Sequence, residues 1–281
     1  RRAGERVTPF SFVQISDTHV GFSGPPNPLG TKAFEEAVAL INALPEKPEF
    51  VLVTGDLTHD TEKPGEHAER MRAFQKIAGG LAVKRLHVVP GEHDAALDGG
   101  TLFREFFGET SYVFDHRGVH FVALDNVSNG KPVIGDARIE WLRKDLARFP
   151  KEAPIVVFTH RPLFDLAPEW EWFTSDGDKV LDLLAPFENA TVLYGHIHRA
   201  DSRKIGRATH LASRSLIFGF PDPAATPEKK PLPFAADRPF QNLGLRTLHA
   251  GKSLAADDVE LSIREFAGKA GINQILKGES R

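Results

Sequence analysis

Short apolar runs recur along the chain with turn residues between them, and stretches of helical period fill the gaps. Residues 10–16 (FSFVQIS) read as a strand. A glycine- and proline-rich loop leads to TKAFEEAVALINAL at 31–44, which sets Phe34, Val38, Ile41 and Leu44 on one helical face. Residues 50–56 (FVLVTGD) predict a second strand, 65–78 a second helix, and 85–94 (RLHVVPGEHD) a third strand running into a turn. Strand, helix and strand at this rhythm predict βαβ units and a mostly parallel sheet with covered faces. At 111–125 (SYVFDHRGVHFVALD) the rhythm breaks: two alternating runs flank DHRG, a hairpin in which Gly118 is free to turn left-handed. The rhythm then resumes. A helix at 136–149 carries Ile139, Leu142 and Leu146 on one face, followed by a buried strand at 154–160 (PIVVFTH), a helix near 178–185 and a strand at 191–198 (TVLYGHIH).

Beyond residue 198 the pattern turns antiparallel through SRKIG, ATHLASRSLIFGF, LGLRTLHAGK and DDVELSIREF. Six prolines within 221–239 mark a rigid, irregular surface excursion. The C-terminal β segment at 241–266 is expected to complete a sheet. No internal repeat interrupts the apolar segments, so residues 1–281 are expected to form a single domain with two sheets.

Bulk composition narrows the partners more than the fold. At 281 residues, 41% hydrophobic and 26% charged, the chain can build a substantial core. A formal net charge of −3 and no basic run longer than EKKP argue against a long nucleic-acid partner. No apolar run approaches the roughly 20 residues that span a bilayer. There are no cysteines, which excludes disulfides and thiolate metal sites and leaves the twelve histidines as nitrogen ligands. The chain opens RRAGERVTPF without a methionine. A cleaved export signal and a shortened chain both fit that start, so an exported and a cytoplasmic location stay equally open. Oligomeric state is not legible.

The chemistry lies just past the C-terminal ends of the apolar strands. ISDTH carries Asp17 and His19, VTGDL carries Asp56, and VPGEHD carries Glu92, His93 and Asp94; VFTHRP carries His160 and LYGHIH carries His196 and His198. In open α/β sheets that rim is where ligands bind, so five groups from five strands predict one polar site. Carboxylates and imidazoles without thiolates suit Fe, Mn or Zn. On an extended backbone, D-x-H and H-x-H would point both members to the same side. The donors are too many for one tetrahedral ion, and two ions sharing a carboxylate would use them better. A metal pair about 3.5–4 Å apart is a common device for in-line attack on phosphorus.

The ordered set D-x-H, G-D, G-E-H-D, H and G-H-x-H resembles the calcineurin-like metallophosphoesterase superfamily over residues 17–198. The resemblance implies a four-layer α/β/β/α sandwich with two mixed sheets and a dinuclear site at its rim. It implies a first metal on Asp17, His19, Asp56 and His198, with Asp56 bridging to a second metal on Glu92, His160 and His196. The implied activity is that of a phosphatase or phosphodiesterase: a metal-dependent hydrolase of small phosphoesters, in which a metal-bound hydroxide attacks phosphorus in line. His93 would contact the phosphate and protonate the leaving oxygen, with Asp94 orienting its ring. A non-catalytic binding or scaffold protein that retains the fold is the competing class.

One position departs from the family pattern: Glu92 stands where a neutral asparagine is usual. Other residues carry two readings. Arg161 and Arg199 follow ligand histidines and suit phosphate oxygens, although side-chain alternation would turn them away from the metals. His59 and Asp60 read as a capped turn or as the rim of the site. Trp170, Trp172 and Phe173 either shape a pocket or cover an apolar edge. His116, His120, His210 and His249 read as surface or packing histidines.

Overall fold

The computed structural model describes residues 7–251 and 253–261. The first sheet is built on parallel strands β1 (Phe10–Ile15), β2 (Val51–Thr54) and β3 (Leu86–Val89). Helices α1 (Lys32–Ala43) and α2 (Glu66–Ala78) connect them. Two further strands, β10 (Gly244–Ala250) and β11 (Leu254–Glu260), add antiparallel to its other edge, giving the order β11-β10-β1-β2-β3. These two strands fall within the expected C-terminal β segment at 241–266, of which residues 252 and 262–266 lie outside the described residues.

The second sheet begins with the expected hairpin, β4 (Tyr112–His116) and β5 (Val119–Ala123). Both turn residues, Arg117 and Gly118, take positive φ (47° and 88°), the conformation that matches the twist of a two-residue hairpin. Parallel strands β6 (Pro154–Phe158) and β7 (Asn189–Tyr194) follow, with α5 (Asp136–Leu146) between β5 and β6 and α6 (Gly177–Leu184) between β6 and β7. Strands β8 (Asp201–Ile205) and β9 (Ala208–Ala212) complete the order β4-β5-β6-β7-β9-β8. Both sheets are mixed.

Three apolar layers account for the stacking. Phe10, Phe12 and Phe50 of the first sheet meet Phe121, Val156 and Phe158 of the second in an aromatic-rich core between the sheets. The opposite face of the first sheet packs Val13, Ile15 and Val53 on Phe34, Ile41 and Phe74 of α1 and α2. The opposite face of the second packs Val122, Ile155 and Val157 on Leu142, Val180 and Leu184 of α5 and α6. Strands buried on both faces explain why their sequences read as continuous apolar runs. The result is the α/β/β/α sandwich.

Two details differ from the sequence reading. The SLIFGF stretch adds no strand: β9 ends at Ala212, and Leu216 is buried with its amide on the Ser16 and Asp17 carbonyls, beneath the rim. Glu92, His93 and Asp94 open a short helix, α3 (Glu92–Ala95), and α4 (Thr101–Phe107) follows; neither helix has enough periodic residues to announce itself.

Candidate metal centre

The five strand ends converge. Asp17 and His19 follow β1, Asp56 follows β2, Glu92 follows β3, His160 follows β6, and His196 and His198 follow β7. The convergence is not the side-chain alternation of an extended strand. Asp17, His19, Asp56, His196 and His198 all take left-handed φ, between 40° and 64°. Such a backbone costs about 1–3 kcal/mol per non-glycine residue and persists where surrounding contacts over-determine it. Here those contacts are explicit: the amides of Asp17 and His19 donate to the Gly55 and Asp56 carbonyls, and the His196 amide donates to the Asp17 carboxylate. Gly91 is required for close approach, because a Cβ there would sit 2.0 Å from Asp56 Oδ1.

Two four-residue clusters result, Asp17–His19–Asp56–His198 and Asp56–Glu92–His160–His196, sharing Asp56. In the first, His19 Nε2 lies 3.2 Å from His198 Nε2 and 3.3 Å from Asp56 Oδ2, and His198 Nε2 lies 3.4 Å from Asp17 Oδ1. In the second, His160 Nε2 lies 3.3 Å from Asp56 Oδ2 and 2.9 Å from Glu92 Oε2, while His196 Nδ1 lies 2.9 Å from Glu92 Oε1. Neighbouring donors on an ion with bonds of about 2.1 Å are about 3.0–3.4 Å apart, so both clusters fit a transition metal. His160 Nε2 and Glu92 Oε2 are buried and neither has a hydrogen-bond partner, despite their proximity. Both are free to bind a cation.

The outer nitrogens of the ligand histidines are held as ligands require. His160 Nδ1 donates to the Thr54 carbonyl (2.7 Å), His198 Nδ1 to the Phe218 carbonyl (2.9 Å) and His196 Nε2 to the Glu171 carbonyl (3.1 Å). His19 Nδ1 faces His59 Nδ1 at 3.2 Å. In the neutral rings, the three carbonyl contacts would leave the inner nitrogens of His160, His196 and His198 as acceptors facing the cluster.

Electrostatics point the same way. Burial pushes Asp17 up to about 8, with Asp56 and Glu92 adding to it against His160. Burial disfavours charge on His160 too, but Asp56 and Glu92 outweigh it and hold its pKa well above the ordinary value. Burial lowers His196 to about 4 and His198 to about 3, so both stay neutral at pH 7. Two buried carboxylates and the half-buried Glu92 in one place call for positive charge, which protons or metal ions can supply.

His93 does not point into either cluster. Its ring stands edge-on to His19 (centroids 4.8 Å apart) and its Nδ1 bonds the Asp60 carboxylate. Burial opposes its imidazolium, but Asp56, Asp60 and Glu92 outweigh burial and raise its pKa to about 9. The orienting carboxylate is therefore Asp60 and not Asp94. Asp94 instead accepts from the amides of Leu57, Thr58 and Gly91 and from the Thr58 hydroxyl, tying the loop after β2 to the start of α3. The adjacency of Asp94 to His93 in sequence misleads because a helical turn sends neighbouring side chains in different directions.

The arginines separate. Arg161 is buried at the edge of the second cluster, with Nη2 3.3 Å from Glu92 Oε1 and Nη1 on the Glu171 carbonyl (2.8 Å). Arg199 turns to the proline-rich excursion, pairing with Asp222 at 2.9 Å. Trp170 and Trp172 are buried edge-to-face at 4.9 Å and anchor the loop after His160 on Tyr194 and Ile197. Among the other histidines, His120 is buried between Asp115 and Asp145, and His116 pairs with Glu49, both structural roles.

Several named proteins are similar to this chain over about two thirds of its length. A protein of Arcobacter nitrofigilis named "Probable glycerophosphodiester phosphodiesterase GpdQ" is 29% identical over 204 residues, covering 68% of this chain and 72% of that one. The zebrafish (Danio rerio) serine/threonine-protein phosphatase CPPED1 is 28% identical over 221 residues, 68% of this chain and 71% of that one. Among solved structures, a dimetal phosphatase from Danio rerio superposes with a TM-score of 0.58 at 15% identity, over 88% of this chain and 98% of that one, which is a likeness of fold. The pattern of the calcineurin-like phosphoesterase family matches residues 10–200. With two metal-binding clusters sharing an aspartate at the rim of a two-sheet sandwich, the chain belongs to the calcineurin-like phosphoesterase family.

Proposed function

We propose that the protein hydrolyses small phosphoesters at this dinuclear site and turns over singly charged diesters in preference to dianionic monoesters. The observation that carries the reading is Glu92 between His160 and His196, which makes a third carboxylate in the paired clusters. Two transition-metal ions, Fe, Mn or Zn, held by Asp17, His19, Asp56 and His198 and by Asp56, Glu92, His160 and His196, would supply Lewis acidity toward phosphoryl oxygens and acidify water.

The remaining work falls to the chain. His93, carrying its proton against Asp60, is placed beside the first cluster to protonate a leaving oxygen. Asp56 fixes the helix that presents His93, since the His93 amide donates to Asp56 Oδ1 at 3.0 Å. The third carboxylate cancels one unit of positive charge that an asparagine would leave, which weakens attraction for a dianionic monoester more than for a monoanionic diester. Relatives named for diester hydrolysis and for phosphatase activity are both consistent with the reaction class.

The test is a panel with p-nitrophenyl phosphate and bis(p-nitrophenyl) phosphate on Mn- and Zn-loaded protein. A diester-to-monoester ratio of kcat/KM above one supports the reading. A ratio below one sinks the diester preference, and metal uptake with no turnover of either ester sinks the hydrolase reading.

A further inference from the structure

The proline-rich excursion at 221–239 is joined to the rim of the second cluster through one loop. Trp170 Nε1 donates to the Pro227 carbonyl at 3.1 Å, and Lys229 Nζ donates to the Trp170 carbonyl at 2.7 Å. The next carbonyl, that of Glu171, accepts from both His196 Nε2 and Arg161 Nη1. Lys229 is thus one residue along the loop from the group that orients a ligand of the second cluster. Arg199, paired with Asp222, pins the start of the same excursion.

The excursion therefore brings an ammonium to the loop that borders the second cluster. Lys229 Nζ packs 5.8 Å from the Phe220 ring centroid, while the residue as a whole stays open to solvent. Among the described residues no carboxylate lies within ion-pair distance of it. Burial of the ammonium lowers its pKa, and the charges of Glu92, Arg161, Glu171 and Asp56 act on it there. Among the described residues, one of its three donors is used, by the Trp170 carbonyl. Arg161, beside it, has a buried Nε without a partner.

We propose that Lys229 is a substrate-binding residue which, with Arg161, holds an anionic phosphoryl oxygen on the second-cluster side of the site. The proposal rests on the phosphoester reading above. Glu92 adds negative charge where the phosphoryl group would lie, and an anion entering there needs a nearby cation to offset it. Lysine suits the task because its ammonium is a compact charge on a flexible stem that reorients toward a ligand. The division of the pocket follows: the leaving oxygen faces His93 beside the first cluster, and a non-leaving oxygen faces Lys229 beside the second.

Inorganic phosphate is the probe, titrated calorimetrically into metal-loaded protein, with metal content measured on each sample. Lys229→Gln should weaken phosphate binding about tenfold or more at unchanged metal content, the loss of one charge-assisted hydrogen bond. Lys229→Arg should stay within a few-fold of wild type. Phosphate bound by Lys229→Gln as tightly as by wild type overturns the proposal. So does parallel loss of metal and phosphate, which would make Lys229 a strut for the loop. Wild-type protein that takes up metal but binds no phosphate overturns both this proposal and the hydrolase reading. Phosphate binding that depends on Lys229, without turnover of any ester, supports the site and sinks only the hydrolase reading.

Discussion

Glu92 Oε2 lies 2.9 Å from His160 Nε2, both atoms are buried, and neither has a hydrogen-bond partner among the described residues. A carboxylate in that position could serve as a metal ligand. Glu92→Asn should lower affinity at one of the two metal sites by about tenfold, the order expected when a ligand loses its charge. It should also raise the monoester-to-diester ratio of kcat/KM. Metal titration and the two aryl esters read both effects, and no change in either would show that Glu92 does not face the metals as a charged group.

His93 and Asp60 form a pair that is expected to act on substrate, although His93 also stands in a group of three histidines with His19 and His59. His93→Ala should lower kcat by about 10²–10⁴-fold, the usual scale for a general acid, with metal content intact. Asp60→Asn removes a charge that favours the imidazolium, so the His93 pKa should fall. The acid form is then lost at lower pH, and the alkaline limb of the rate profile should move down. An alkaline limb that stays in place in Asp60→Asn would mean that another group is the acid.

Asp94 should behave as a structural residue. Its carboxylate serves three amides and a hydroxyl, all buried with it. Asp94→Ala leaves those donors without partners and should cost about 3 kcal/mol or more. For a chain of this size that is a fall in Tm of roughly 6–12 °C. Thermal unfolding that matches wild type, with activity lost, would return Asp94 to a catalytic role.

The ligand set was legible in the sequence because each member stands at the end of an apolar strand, where a polar residue has no packing reason to be. Asp17, His19, Asp56, Glu92, His160, His196 and His198 all reach the paired clusters. The hairpin was legible from Gly118, and sheets with covered faces from the apolar strands, while the four-layer sandwich came from the family resemblance. What was not legible depends on backbone conformation. The left-handed φ of Asp17, His19, Asp56, His196 and His198 cannot be seen in residue types that seldom adopt it, so an extended strand was the natural reading. The Asp60–His93 pair joins loops 33 positions apart, and Lys229 reaches the rim only through the Trp170 carbonyl, so neither leaves a local pattern.

His210 should make the fold acid-sensitive. It is fully buried, packs edge-on against Phe164 at 5.3 Å, and neither ring nitrogen has a partner. Burial lowers its pKa from 6.5 to about 4, with Arg203 adding to burial and Asp201 opposing it. The unfolded chain therefore binds the extra proton between these values. The stability contribution is complete above about pH 6.5 and is lost as pH falls toward 4, by on the order of 2–3 kcal/mol. His210→Phe has no proton to gain and should lie within about 1 kcal/mol of wild type at pH 7. Urea unfolding at pH 7 and pH 4.5 should show a smaller drop for the variant. Equal drops would place the acid sensitivity elsewhere.

The seven side chains of the two clusters are expected to hold a metal pair through a shared Asp56. Elemental analysis of protein loaded with Mn or Zn, then gel-filtered, tests it most directly. Close to two ions per chain are predicted, with Asp56→Asn holding less than one. A wild-type chain that retains no metal after loading, or an Asp56→Asn variant that retains the full complement, would contradict it.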